Sequence, residues 1–279
     1  MRWKQNSTVA LCTLILSLST AVSRADEFAE KGREIFKKNQ YAVVTVQVVI
    51  KASGGGGRSS ENKQEITGTV VDPSGLTVLA LSACDPAEMY RKLSDDYKME
   101  VEVSDIKMLL EDGTELASEI VLRDKDLDLA FIRPKTKPAS PMVSVDLSKS
   151  GSAQVLDVVV TLNRLNKAAS RAYAASSERI AAVIQKPRTF YIPDSGMSST
   201  TMGSPAFLPD GKVLGIFVMR AVSAAGGSGG NFRQNLTSII LPAEDVLKGA
   251  KQAPEAKGED EKKEEPKPAA EKPAVKAGE

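Results

Sequence analysis

The sequence of 279 residues contains no histidine. Imidazole is the side chain that most often takes a proton from a serine or cysteine nucleophile, because its pKa lies closest to neutral pH. The chain therefore cannot form a Ser–His or Cys–His catalytic pair. Zinc sites are built mainly from histidine and cysteine, and the sequence has only two cysteines. We expect no metal site and no other cofactor.

Only one long apolar run occurs, and it lies at the amino-terminal end, from Val9 to Leu18. The run follows the basic residues Arg2 and Lys4 and precedes Ser23-Arg24-Ala25. This pattern is typical of a signal peptide, here residues 1–25, cleaved after Ala25. The run is short for a membrane span of about 20 residues, so an uncleaved anchor is the weaker interpretation. The leader predicts a secreted or periplasmic protein without a membrane span after cleavage.

Cleavage would leave one cysteine, Cys84, so no intramolecular disulfide is expected. It would also remove three basic residues and no acid, which changes the formal net charge from +1 to about −2. A chain so close to neutral offers no electrostatic basis for binding nucleic acid. The acidic clusters at Asp95-Asp96 and Glu259-Asp260-Glu261 lack the spacing of a calcium loop.

Runs of β-branched residues with period-two patterning dominate the middle of the chain and predict many short strands. The clearest of these runs are Tyr41–Ile50, Ile66–Val71, Val155–Leu162 and Val213–Val218. Turn sequences at Asp72–Gly75, Asp112-Gly113 and Pro209–Gly211 each predict a hairpin. Helical patterning is confined to Glu27–Lys38, Pro86–Leu93 and Ala243–Gly249. An all-β sandwich or pair of barrels is the expected architecture.

A change of composition marks the end of the predicted domain. Residues 251–279 consist almost entirely of Lys, Glu, Ala and Pro. Such a segment buries too little apolar surface to offset its conformational entropy. The sequence therefore predicts one domain over residues 26–250, followed by a disordered tail over 251–279.

Three ordered motifs resemble those of trypsin-like serine proteases of the HtrA/Deg type. Thr67–Ser82 (TGTVVDPSGLTVLALS) is similar to the hairpin that carries the catalytic histidine. Asp126–Ile132 (DLDLAFI) resembles the strand of the catalytic aspartate. Thr200–Phe207 (TTMGSPAF) resembles the nucleophile turn, whose usual form is Gly-Asn-Ser-Gly-Gly/Ser-Pro. The resemblance spans roughly residues 40–251 and implies two six-stranded antiparallel β-barrels with short terminal helices.

The resemblance also places the catalytic triad, and this chain departs from it at two of three positions. The histidine position falls on Ser82, the aspartate position on Asp128 and the nucleophile position on Met202. A thioether has no proton to lose and forms no useful acyl-enzyme. Without an imidazolium to orient, Asp128 is expected to accept hydrogen bonds from Ser82 or from nearby amides.

The oxyanion loop of the family uses backbone amides around the nucleophile, here Thr200, Thr201, Gly203 and Ser204. In the family a glycine stands two residues before the nucleophile, whereas this chain has Thr200 there. Since a β-branched residue tolerates positive φ poorly, the resemblance implies a reshaped oxyanion hole. Gly203 and Pro205 keep the turn itself.

Two alternatives leave room for catalysis. One is a displaced serine nucleophile, drawn from Ser195, Ser198, Ser199 and Ser204, paired with a lysine such as Lys186 or Lys212. The other is the thiol of Cys84, although free cysteines are usually buried hydrophobic residues.

Three functions remain open at this point. The favoured hypothesis is a secreted, catalytically inactive protease homologue that binds a peptide or protein in the cleft between the barrels, beside Met202 and along Met219–Val222. The alternatives are an active serine endopeptidase with an unconventional nucleophile and a structural envelope protein whose tail makes the contacts. The charged tail follows the domain directly, so no PDZ module is expected, unlike in full-length HtrA/Deg proteins.

Overall fold

The computed structural model describes residues 27–54, 58–87, 100–195, 201–222 and 235–255. The predicted signal peptide and most of the predicted tail lie outside these residues. Helix α1 covers residues 27–39 and continues into a 3-10 turn, Gln40–Ala42. Two further helices are α2 (Leu81–Cys84) and α3 (Ala243–Ala250).

Twelve strands form two closed antiparallel barrels of six strands each. The first barrel has the order β1-β2-β3-β6-β5-β4 and the second the order β10-β11-β12-β9-β8-β7. The strands of the first barrel are β1 Val43–Gly54, β2 Arg58–Val70, β3 Thr77–Ala80, β4 Glu100–Leu109, β5 Glu115–Asp124 and β6 Leu129–Pro134. Those of the second are β7 Val158–Arg164, β8 Tyr173–Ile184, β9 Phe190–Pro193, β10 Pro205–Phe207, β11 Val213–Ala221 and β12 Leu236–Pro242. The predicted all-β fold of two six-stranded barrels is confirmed.

The three predicted turns each close a hairpin, at β2–β3, β4–β5 and β10–β11. Gly75, Gly113 and Gly211 occupy them with positive φ, which a residue without Cβ adopts at little cost. The predicted helices at both ends are also present, at residues 27–39 and Ala243–Ala250.

Two predicted strands begin later than expected. Tyr41 and Ala42 belong to the 3-10 turn, because α1 runs on for one turn in which the Val43 amide donates to the Gln40 carbonyl. The run Val155–Leu162 enters its strand only at Val158, because Leu156 has φ of +73° and is 64% exposed. A left-handed backbone at Leu156 interrupts the extended conformation, so the strand begins only after this residue.

A shared hydrophobic core joins the two barrels. Leu129 and Phe131 of β6 meet Ile216 and Val218 of β11 in one buried cluster. Helices α1 and α3 add apolar side chains to the same cluster, among them that of Val246. The barrels therefore pack through a continuous apolar interface. The polar residues at the assigned triad positions lie at the rim of this interface.

A bidentate ion pair also links the barrels. Arg171, which precedes β8, donates from Nη2 to Glu65 Oε1 at 2.6 Å and from Nε to Oε2 at 3.0 Å. The hydrogen bond from Arg171 holds the pKa of the Glu65 carboxyl below its ordinary value of 4.5. The pair is about three-quarters buried, with side-chain exposures of 29% and 22%.

We expect Glu65→Gln to lower the free energy of unfolding by about 1 kcal/mol near pH 7. Because the folded pKa of Glu65 is lowered, this stabilisation is present above the ordinary carboxyl pKa and is lost as the pH falls through the folded value. Urea unfolding of wild type and variant at pH 7 and below pH 4 measures the difference. Glu115→Gln, which removes the more exposed pair with Lys107, is the matched control and is expected to change little. An undiminished difference between wild type and Glu65→Gln at low pH would contradict this account.

Candidate functional site

Asp128 is placed by a tight turn between β5 and β6. Asp124 Oδ1 accepts hydrogen bonds from the amides of Asp126 and Leu127, both at 3.0 Å. This Asx turn delivers Asp128 to the start of β6 with φ of +58°, a left-handed conformation that aspartate tolerates better than most residues. The carboxylate is thereby directed at the junction of the two barrels, where α2 and β11 approach β6.

The carboxylate of Asp128 accepts three hydrogen bonds from two elements. The Ser82 amide donates to Oδ1 at 2.7 Å and the Ser82 hydroxyl to Oδ2 at 2.8 Å. From the second barrel, the Met219 amide donates to Oδ2 at 2.7 Å. The Leu81 amide also donates to the Asp128 carbonyl at 2.8 Å. Asp128 therefore has the type of partners expected for this aspartate in a chain without histidine.

The turn at the assigned nucleophile position is anchored to the first barrel. Thr69 Oγ1 donates to the Gly203 carbonyl at 2.7 Å. Gly203 has φ of +84°, and a Cβ at this residue would lie 2.2 Å from the Thr67 carbonyl oxygen. Met202 is 5% exposed and belongs to the core between the barrels. Its side chain thus fills apolar space at the point where the family resemblance places a reactive hydroxyl.

The two backbone amides after Met202 already donate to carbonyl groups of the protein. The Gly203 amide donates to the Phe217 carbonyl at 2.8 Å, and the Ser204 amide donates to the Thr201 carbonyl at 3.0 Å. Neither amide points to a free position where an oxyanion would bind. Thr200, the position assigned to the oxyanion glycine, lies outside the described residues.

The alternative serine and lysine residues that the structure describes lie in different parts of the fold. Ser204 is fully buried, and its hydroxyl donates to Asn163 Oδ1 at 2.7 Å. Lys212 lies at the far end of the β10–β11 hairpin, where it pairs with Asp210 at 2.9 Å. Lys186 is exposed between β8 and β9, and Ser195 lies beyond β9. The remaining candidates, Ser198 and Ser199, lie outside the residues that the structure describes.

Cys84 does not have the environment of a reactive thiol. It is fully buried at the end of α2, and its Sγ donates to the Leu81 carbonyl at 3.4 Å. Burial raises the pKa of this thiol to about 12. Since the thiolate is the nucleophilic form, Cys84 behaves as a core residue.

A cavity of about 60 Å³ lies beside Asp128. Its walls include Ser82, Phe190 and Arg220, and Arg220 stacks its guanidinium over the Phe190 ring at 4.8 Å. In the described parts of the chain, no group of three or more Asp, Glu or Cys side chains is arranged to hold a metal ion. None of the described helices is both long and apolar enough to cross a membrane.

Several partners of the site carry no sequence signal. Asn163 lies in β7, far in sequence from Ser204, and the Met219 amide is a backbone group that any residue would supply. The stacking of Arg220 on Phe190 joins β11 with β9. The family resemblance placed the expected binding cleft along Met219–Val222, which includes Met219 and Arg220, but it did not indicate their partners.

Two closed six-stranded antiparallel barrels with a cleft at their junction define the chymotrypsin-like class of protease folds. The family model for the trypsin-like peptidase domain matches residues 66–216, more than half of the chain. The chain belongs to this trypsin-like peptidase domain family. No curated protein sequence matches it.

Proposed function

We propose that this protein is an exported, non-catalytic homologue of HtrA/Deg-type proteases that binds peptide segments of other proteins. Binding occurs by addition of an extended strand to the open edge of β11, at the junction of the barrels. The observation that carries this proposal is the direction of the backbone groups at Met219 and Ala221. The predicted signal peptide supports a location of the mature protein outside the cytoplasm.

The hydrogen-bonding pattern along β11 defines which backbone groups face outward. The Val222 amide donates to the Asn235 carbonyl at 2.9 Å, so Val222 and, by alternation, Arg220 face β12. Phe217 faces the opposite side, where its amide donates to the Ser204 carbonyl at 3.0 Å. Met219 and Ala221 face the same side as Phe217 because they are two and four residues further along the strand.

Among the described residues, no strand pairs with this side of β11 beyond Met219. The Met219 amide is bound by Asp128, which closes the inner end of the edge. Among the residues that the structure describes, none is recorded donating to the carbonyls of Met219 and Ala221 or accepting from the Ala221 amide on this side. Such a row of donors and acceptors supports pairing with an added strand.

The lack of histidine and the surroundings of Met202 and Ser204 argue against hydrolysis. The chain has no imidazole, Met202 presents a buried thioether, and the Ser204 hydroxyl is buried against Asn163. A serine hydroxyl needs an adjacent base to become a nucleophile at neutral pH. We infer that a bound peptide is held at this edge and released intact.

Hydrolysis of denatured casein by the purified mature protein tests the loss of activity. We expect no cleavage above the buffer rate, with Met202→Ala and Ser204→Ala indistinguishable from wild type. A serine-reactive phosphonate is likewise expected to leave the protein unlabelled. Cleavage that Ser204→Ala abolishes would establish an active endopeptidase with an unconventional nucleophile and overturn the proposal.

Peptide binding is tested by screening an array of extended peptides and measuring the affinity of the strongest one. We expect Ala221→Pro, which removes the outward amide, to weaken binding about tenfold. Ala221→Ser keeps that amide and is expected to bind like wild type. Methylation of alternate peptide nitrogens should reproduce the loss. Binding that survives Ala221→Pro but disappears when the chain is ended after Glu255 would assign the function to the tail, as in a structural envelope protein.

A further inference from the structure

A second concave surface lies away from Asp128, at the outer end of the first barrel. We call it the Tyr41 groove. It has a volume of about 510 Å³, and its walls come from the 3-10 turn, the β4–β5 turn, residues 138–143 and the start of β8. Tyr41 and Val143 are 43% and 44% exposed there. None of the residues around Asp128 lines it.

The groove presents a fixed aromatic and proline surface. The rings of Tyr41 and Tyr173 meet edge to face, with centroids 5.4 Å apart and planes at 85°. Arg164 lies over the Tyr173 ring at 4.8 Å and donates to the Leu109 carbonyl at 2.9 Å, which holds that ring in place. Pro138 and Pro141 line the groove together with residues of the β4–β5 turn. Aromatic-lined grooves of this kind take proline-rich ligands in the polyproline II conformation.

The charge of the groove favours a basic ligand. Among the described residues that line it, the charged ones are Glu111 and Asp112, both in the β4–β5 turn. Two carboxylates at the rim of an apolar groove attract a lysine that flanks a proline.

The residues after α3 contact the first barrel at Arg133. After α3, the Pro254 carbonyl accepts from Arg133 Nε at 2.9 Å, and Glu255 pairs with Arg133 Nη2 at 3.4 Å. Arg133 Nη1 in turn donates to Ser74 Oγ at 2.7 Å. The residues beyond Glu255 therefore start from the surface of the first barrel, although the sequence assigned residues 251–255 to the tail.

One further hydrogen bond connects the neighbourhood of Ser74 with the groove. The carbonyl of Pro73, next to Ser74, accepts from the amide of Met142, a residue that lines the groove, at 2.9 Å. The sum of these bonded steps limits the separation of Glu255 from the groove to at most roughly 15 Å. Five residues in the polyproline II conformation span about 15 Å.

The following sequence contains a segment of matching chemistry. Residues 256–265 (AKGEDEKKEE) contain five acids and three lysines, whereas residues 266–276 read PKPAAEKPAVK. The second segment has three prolines and three lysines against one acid. Proline fixes φ near the polyproline II value, so little entropy is lost when the segment binds in that conformation.

We propose that the Tyr41 groove is a docking site for residues 266–276 of the same chain. The segment lies along Tyr41 and Tyr173 in the polyproline II conformation, with a lysine beside Glu111 and Asp112. A short tether gives an effective concentration on the order of 1 mM. A segment with a dissociation constant of about 0.1 mM would then be bound about nine-tenths of the time.

Paramagnetic NMR on the full chain tests this docking. Ala274→Cys with Cys12→Ser provides one reactive thiol for a nitroxide label, because Cys84 is buried and its thiol pKa is raised to about 12. We expect the amide signals of Tyr41, Glu111 and Val143 to broaden, and those of α3 to stay sharp. Tyr41→Ala, at a residue that is 43% exposed, should leave the fold intact. A tenfold loss of affinity in Tyr41→Ala would lower the bound fraction of the segment to about one half. The broadening of the groove signals would then be reduced.

Charge reversal supplies the second arm. Glu111→Lys with Asp112→Lys is expected to release the segment, and Lys272→Glu with Lys276→Glu in the same protein should restore the broadening. Sharp groove signals in the labelled chain would overturn the proposal. So would broadening that occurs only when labelled and unlabelled molecules are mixed, which would assign the groove to a second copy. Broadening along β11 instead of the groove would show that the tail occupies the peptide edge.

Discussion

Gly203→Ala is expected to lower the free energy of unfolding by at least about 3 kcal/mol. Gly203 has φ of +84°, a conformation that costs an L-residue roughly 1–2 kcal/mol. The added Cβ would also lie 2.2 Å from the Thr67 carbonyl oxygen. Because that neighbour is backbone of β2, relief requires the turn to move away from the first barrel. This movement would break the hydrogen bond from Thr69 to the Gly203 carbonyl.

Thermal unfolding followed by circular dichroism measures the effect, and for a domain of this size about 3 kcal/mol corresponds to roughly 6–12 °C. Gly211→Ala and Gly113→Ala are matched controls. Both glycines have nearly the same positive φ, but a Cβ at either would meet nothing within 4 Å. They are expected to cost about 1 kcal/mol each. If Gly203→Ala were no more destabilising than the two controls, this result would contradict the close approach of the turn to Thr67.

The fold was largely predictable because its turns carry strong local signals. Asp-Gly and Asp-Pro-Ser-Gly sequences mark Gly75, Gly113 and Gly211 as positions that require positive φ. The length of β2 was not predictable in the same way. Only Ile66–Val71 has an apolar pattern, whereas residues 58–65 are mostly polar and continue the strand through register with β1. Residues 60–63 are exposed, and a strand segment without a buried side chain has no buried face to impose a period-two pattern.

One contact of the candidate site was predictable, but its other contacts were not. The ordered motifs brought Ser82 and Asp128 together in expectation, and the structure places them in contact. By contrast, nothing in sequence indicates that Asn163 receives the Ser204 hydroxyl or that the Met219 amide faces Asp128. Those contacts depend on how the two barrels are packed, which is a tertiary property. Burial of Cys84 likewise follows from the packing of α2 and argues against the thiol alternative.

Asp128→Ala is expected to destabilise the protein by about 3–5 kcal/mol, through loss of a link between the barrels. The substitution leaves the amides of Ser82 and Met219 without their acceptor, and each partly buried donor left unsatisfied costs about 1–3 kcal/mol. Alanine must also adopt φ of +58° at this position. Ser82→Ala removes a single hydroxyl donor and is expected to cost about 1 kcal/mol. Urea unfolding at constant pH compares the variants through their midpoints and slopes.

Asp128→Asn is the matched variant for this comparison. Asparagine tolerates the left-handed conformation and keeps one carbonyl oxygen, but its amide nitrogen cannot accept from the remaining donors. An intermediate loss would show that the carboxylate acts as an acceptor shared by α2 and β11. If instead Asp128→Ala cost no more than Ser82→Ala, Asp128 would contribute nothing to holding the barrels together. The expected order explains this aspartate by stability alone, since it joins Ser82 in the first barrel to Met219 of β11 in the second.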